Sequence, residues 1–117
     1  MDPEEQFQFA CKDGNLLEAQ QILQTNPTIN ISANNEETFR FACIRGQLDV
    51  IRQLYEWKPT IDISANNESA FIWACVNGHL HVSKWLVSLR PDKYKITLNV
   101  NGTISYDIMN PLNIVGA

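Results

Sequence analysis

The chain writes one stretch twice. Residues 27–58 begin Pro-Thr-Ile-Asn-Ile-Ser-Ala-Asn-Asn-Glu and continue through Phe39, Ala42, Cys43, Gly46, Leu48, Val50 and Leu54. Residues 59–90 begin Pro-Thr-Ile-Asp-Ile-Ser-Ala-Asn-Asn-Glu and continue through Phe71, Ala74, Cys75, Gly78, Leu80, Val82 and Leu86. The offset between them is 32 residues, without a gap. It also runs backwards, where Glu4, Phe7, Phe9, Ala10, Cys11, Gly14 and Leu16 match Glu36, Phe39, Phe41, Ala42, Cys43, Gly46 and Leu48. A fixed period of this length marks stacked supersecondary units that bury their apolar sides against each other.

Each unit carries its own punctuation. Asp2 is placed to cap a helix, with Pro3 at the first helical position and Glu5 in the first turn. The period carries Asp2 to Asn34 and Asn66, which are expected to cap as well, and Glu37 completes a second Asx-x-x-Glu box while Ser69 weakens the third. A short helix over about 36 to 44 is expected, ended by Gly46 at the position that favours positive φ. A second helix over about Leu48 to Trp57 follows, its apolar residues Leu48, Ile51, Leu54 and Tyr55 at amphipathic spacing, with Pro59 as the stop. Between helix pairs, Ile-Asn-Ile-Ser-Ala-Asn-Asn or Ile-Asp-Ile-Ser-Ala-Asn-Asn reads as a short extended finger with a turn.

This unit resembles the ankyrin repeat. The family's Thr-Pro-Leu-His-x-Ala-Ala opening is matched in place by Glu37-Thr38-Phe39-Arg40-Phe41-Ala42-Cys43. Its Gly-His-Leu-x-Val-Val second helix is matched by Gly78-His79-Leu80-His81-Val82 and Gly46-Gln47-Leu48-Asp49-Val50-Ile51. The Ala-x₃-Gly-x-Leu core holds in all three units, while the Thr-Pro-Leu-His tetrapeptide is mostly replaced. The Asn-rich loop and the aromatic-Ala-Cys helix are similar to the arrays encoded in large numbers by giant DNA viruses. The resemblance implies a mainly α, ankyrin-type solenoid. One domain over 1–117 is expected, with units of about 2–33, 34–65 and 66–91 and a C-terminal cap over 92–117.

After Pro91 the period breaks. Residues 92–100 alternate in apolarity, Asn101-Gly102 follows, and 103–108 alternate again, which favours a β-hairpin. A degenerate fourth repeat is the competing reading, since Ile96-x-Leu98-x-x-Asn101 matches Ile61-x-Ile63-x-x-Asn66 with a three-residue insertion. Either would cover the apolar end of the last helix pair, where Phe71, Trp73, Trp85 and Leu86 are expected to lie.

Composition narrows the function. Hydrophobic residues make up 44% of the 117, enough for a core, and the net charge of −4 argues against a nucleic-acid partner. No run is apolar enough to span a membrane, and the acidic Met-Asp-Pro-Glu-Glu start does not read as a secretory signal. Cys11, Cys43 and Cys75 share one repeat position and read as buried packing thiols in a reducing, cytoplasmic compartment. Cys75, His79 and His81 lie close in sequence but lack the four-ligand pattern of structural zinc, so neither metal nor cofactor is expected. The periodic aromatics Phe7, Phe9, Phe39, Phe41, Phe71 and Trp73 are expected in the core.

Positions that diverge between near-identical units are the candidates for recognition. These are Gln8, Arg40 and Ile72; Lys12, Ile44 and Val76; and Asp13, Arg45 and Asn77. The resemblance places them on the concave side of the first helices, with Asn35 and Asn67 at the loop tips. A partner-facing surface and a merely solvated one both fit this pattern. The function expected is non-catalytic protein binding by a monomer. A structural relic of a longer array and a small cysteine-dependent enzyme are the alternatives.

Overall fold

A computed structural model describes residues 2–109 of the chain. Its elements run α1 (Pro3–Lys12), α2 (Leu16–Thr25), α3 (Ala33–Ile44), α4 (Leu48–Trp57), α5 (Ala65–Val76), α6 (Leu80–Leu89), β1 (Tyr94–Leu98) and β2 (Ile104–Ile108). The helices form three antiparallel pairs. In each pair the turn is a left-handed glycine, Gly14, Gly46 or Gly78, with φ between 76 and 79°. The next backbone N–H reaches back into the helix: Asn15 to the Ala10 carbonyl, Gln47 to Ala42 and His79 to Ala74, at 2.8 to 2.9 Å. That pairing satisfies carbonyls the helix end would otherwise leave open.

The first helices stand side by side, α3 packing against both α1 and α5, and each is backed by the second helix of its pair. Alanine makes the close approach possible: Ala42 and Ala74 are completely buried and Ala10 nearly so. Phe7, Phe39 and Phe71 fill the space beside them, with the three cysteines behind. All three thiols are free and buried, as their shared repeat position predicts. The stack extends 50 × 35 × 20 Å.

The joints between units differ from the expectation. Asp2 caps α1, its carboxylate accepting from the N–H groups of Glu4 (2.7 Å) and Glu5 (3.2 Å). Asn34 and Asn66 do not cap. They open three-residue left-handed turns, Asn34-Asn35-Glu36 and Asn66-Asn67-Glu68, with φ between 56 and 66°. Asparagine tolerates this conformation and glutamate has no such preference, so the glutamate must be held there by something else. Glu36 is buried, and its Oε2 accepts from the Asp62 N–H of the following loop at 2.8 Å. Glu4 accepts likewise from the Asn30 N–H at 3.1 Å. The loop side chains then close their own turns, Asn30 Oδ1 accepting from the Ser32 N–H and Asp62 Oδ1 from the Ser64 N–H, both at 3.0 Å. Asn and Asp serve equally here because only the acceptor oxygen is used.

After α6 the chain forms the hairpin, with register Tyr94↔Ile108, Ile96↔Tyr106 and Leu98↔Ile104. The fourth-repeat reading is thereby excluded. The connection is wider than a two-residue turn: the Asn99 N–H donates to the Thr103 carbonyl, and Gly102 is left-handed at φ 86°. The hairpin's apolar face meets the end of the stack, where Tyr94 stacks on Phe71 at 4.2 Å between ring centroids and Tyr106 meets Phe71 edge-on at 5.9 Å. Tyr94 also stands at the repeat position of Asp62. Its hydroxyl donates to Glu68 at 2.5 Å, and Lys93 pairs with the same carboxylate at 2.6 Å. Two of the aromatics expected beneath this cap lie elsewhere. Trp85 packs back toward the second unit, against Tyr55 at 5.6 Å and Phe39 at 6.3 Å, and Trp73 is half exposed. Residues 110–117 of the expected cap lie outside the described residues.

Candidate partner-binding face

Two residues along a helix turn the side chain through about 200°, so positions two apart face opposite ways. That rule splits the aromatics. Phe7, Phe39 and Phe71 are at most 1% exposed, whereas Phe9, Phe41 and Trp73 are 49, 36 and 48% exposed. The expectation that all six are core is therefore wrong for three of them. These three come from equivalent positions of α1, α3 and α5 and form a row across the stack. The signal was present in the sequence, since a single helix cannot bury both members of each pair against the same core.

The divergent residues surround this row. The Lys12 ammonium lies over the rings of Phe9 (5.7 Å) and Phe41 (5.5 Å), and the Arg40 guanidinium over Phe41 at 5.8 Å. Gln8, Phe9, Lys12, Glu37, Thr38 and Phe41 line a cleft of about 140 Å³ between the first two units. Ile44 and Ile72 are half-buried, and Val76 is 56% exposed. Asp13, Arg45 and Asn77 cap the C-terminal ends of α1, α3 and α5 and are exposed.

Some candidates also hold the fold. Arg40 donates to the carbonyls of Asn35 (2.8 Å) and Asn34 (3.2 Å), fastening the left-handed turn, with Asn35 exposed at its tip; Asn67 is exposed at the equivalent tip of the next turn. The Asn77 amide donates to the Ile44 carbonyl at 3.2 Å, joining the second and third units. Gln47 does the same one unit earlier, to Lys12, at 3.3 Å. Among the described residues the ion pair formed is Lys93–Glu68; Lys12 and Arg40 are half-buried and Arg45 is exposed, each without a carboxylate partner there.

The thiols are poorly placed for nucleophilic chemistry. Burial pushes Cys11 up to about 12 and Cys43 well above the ordinary thiol range. Burial also raises Cys75, against a smaller lowering by its hydrogen bond to Ser83. A thiol held protonated is a weak nucleophile. The His79 ring lies over Gly46, where an added Cβ would come within 2.5 Å of Nδ1. It is a packing group between units.

A family model described as ankyrin repeats (3 copies) matches residues 7–99. The chain belongs to the ankyrin-repeat family. Ankyrin repeats are generally protein–protein interaction modules and generally non-catalytic. Among solved structures, the chain is similar to an ankyrin repeat family protein from Legionella pneumophila, at 34% identity and a TM-score of 0.68. The match covers 72% of this chain and 26% of that one, so this chain spans about a quarter of that protein's length. No curated protein matches. No helix among the described residues is long and apolar enough to cross a membrane.

Proposed function

We propose that this ankyrin-repeat chain is a non-catalytic module that binds a protein partner. The contact surface is the concave face of α1, α3 and α5 together with the loop tips. The observation that carries this is the exposed row Phe9, Phe41 and Trp73. Three large aromatics in line, rimmed by Lys12, Asp13, Arg40, Arg45 and Asn77, match the anchor-and-rim composition of interfaces. Ile44, Ile72 and Val76 extend the apolar centre toward the third unit, and Gln8, Asn35 and Asn67 supply polar edges. The partner is met as a monomer in a reducing cytoplasm, which three free thiols support. The Asn-rich loops support grouping the chain with the arrays of giant DNA viruses, and the host cytoplasm with them.

The test is capture of a partner from source-cell lysate, followed by titration with variants of the face. Ile44→Ala with Val76→Ala, and separately Trp73→Ala, should weaken binding by roughly 1–3 kcal/mol, the range of interface truncations. Trp73 and Val76 are exposed, so the melting temperature should change little at those two positions. Unchanged affinity in the Trp73→Ala protein would remove the face from the interaction.

A further inference from the structure

Resting on that reading, we infer that the face takes an acidic, apolar peptide segment: carboxylates over the first two units and apolar side chains over the third. Charge complementarity carries the argument. The chain is acidic overall, at −4, yet over its first two units this face sets three cations, Lys12, Arg40 and Arg45, against two carboxylates, Asp13 and Glu37, and none of the three cations is paired among the described residues. All three belong to the first two units. The equivalent positions of the third unit are Val76, Ile72 and Asn77, with no charge. The aromatic row runs through both regions and changes from phenylalanine to tryptophan where the cations end.

Lys12 shows how the charged half is arranged. Its ammonium already sits between the Phe9 and Phe41 rings. A carboxylate arriving there meets a positioned cation, and the flanking apolar atoms meet ring faces. At the equivalent repeat position one unit on stands Ile44, an apolar side chain. Units of this kind lie about 10 Å apart, so three rings span about 20 Å. A segment of roughly 16 residues crosses that distance as either a strand or a helix. Nucleic acid fits less well. It would bring phosphates along the whole track and into a third unit without a cation on this face.

The experiment uses a display library of random linear peptides of that length, selected on the full chain, with the selected sequences re-synthesised and labelled. Asp and Glu should be enriched over Lys and Arg, together with Leu, Ile, Phe or Trp. Binding should weaken about tenfold or more in Trp73→Ala and in Lys12→Glu with Arg45→Glu, and should fall as salt is raised. Melting curves on each variant separate lost contacts from lost folding, and Lys12→Met with Arg45→Gln repeats the charge test without reversing sign. The inference is overturned by basic selected peptides, by failure to select any peptide, or by peptides indifferent to these variants. It is also overturned by a labelled single-stranded oligonucleotide that binds the same face more tightly than the peptides. If captured partner still depends on Trp73 in those cases, protein binding by the face stands and only the partner's chemistry falls. If capture ignores Trp73, both fall.

Discussion

Glu36 shows how one side chain can set a joint. Its backbone is left-handed, at φ 63°, and its carboxylate bonds the Asp62 N–H across the interface. Conversion to alanine removes the protein acceptor of that part-buried bond, which costs about 1 kcal/mol. Glutamine keeps an acceptor oxygen and should lose markedly less. Denaturant titration of the two variants checks the order, and equal losses would mean that the hydrogen bond contributes nothing. The cysteines give a second residue-scale prediction. Burial raises all three thiols above their ordinary value of 9.0, so the folded state holds protons that the unfolded chain releases. Stability from this source is complete below about pH 9 and is lost as pH rises beyond it. Thiol reagents should label the native protein slowly and the denatured protein fast; rapid native labelling of one cysteine would show a reactive site instead. The cysteines and glycines were legible because the period alone puts them in the core and at the turns. Glu36 was not. A capping-box template accepts Asn34-x-x-Glu37 as readily as the real arrangement, and only the partner N–H, 26 residues away, decides between them.

At the scale of elements, the hairpin occupies the place where a further unit would stack. Its sequence announced the strands, through alternation and Asn101-Gly102, but not the latch that fastens them. In the alternation of residues 92–100, Tyr94 is one apolar residue of a strand. It also continues the glutamate series, taking Glu68 through its hydroxyl where Asn30 and Asp62 use their backbone N–H. Burial first, and then the hydrogen bond to Glu68, raise the Tyr94 phenol above its ordinary value of 10.0. The sign follows as for the thiols: this contribution is present below about pH 10 and lost as pH rises past it. Tyr94→Phe should lower the melting temperature at neutral pH and flatten its fall as pH rises above about 10, because the titrating group is gone. An undiminished alkaline fall would assign the effect to the thiols alone. Deleting residues 92–117 removes the stacked Tyr94 and bares Phe71, so aggregation or a lower melting temperature is expected; a monomeric truncation of equal stability would show that the hairpin does not cap.

Across the whole molecule, stability is shared between units and the contacts that join them, as in other linear arrays. The contacts between helix pairs run through the middle one. α3 packs on α1 and on α5, receives the Asn77 amide at the Ile44 carbonyl, and sends Glu36 into the next loop. The three alanines at the helix contacts are equivalent in sequence, yet their surroundings differ. Ala42 is fully enclosed between neighbours, whereas Ala10 borders an open cleft of about 510 Å³ with Gln6, Phe9 and Ile22. A leucine at position 42 must push two helices apart, at a cost of about 1–3 kcal/mol. A leucine at position 10 can extend into the cleft and displace water. Ala42→Leu should therefore lower the denaturation midpoint clearly more than Ala10→Leu, and its transition should broaden as the outer pairs lose their common support. Equal losses at the two positions would mean that position along the stack does not matter, and that each unit is held by its own core rather than by the middle pair.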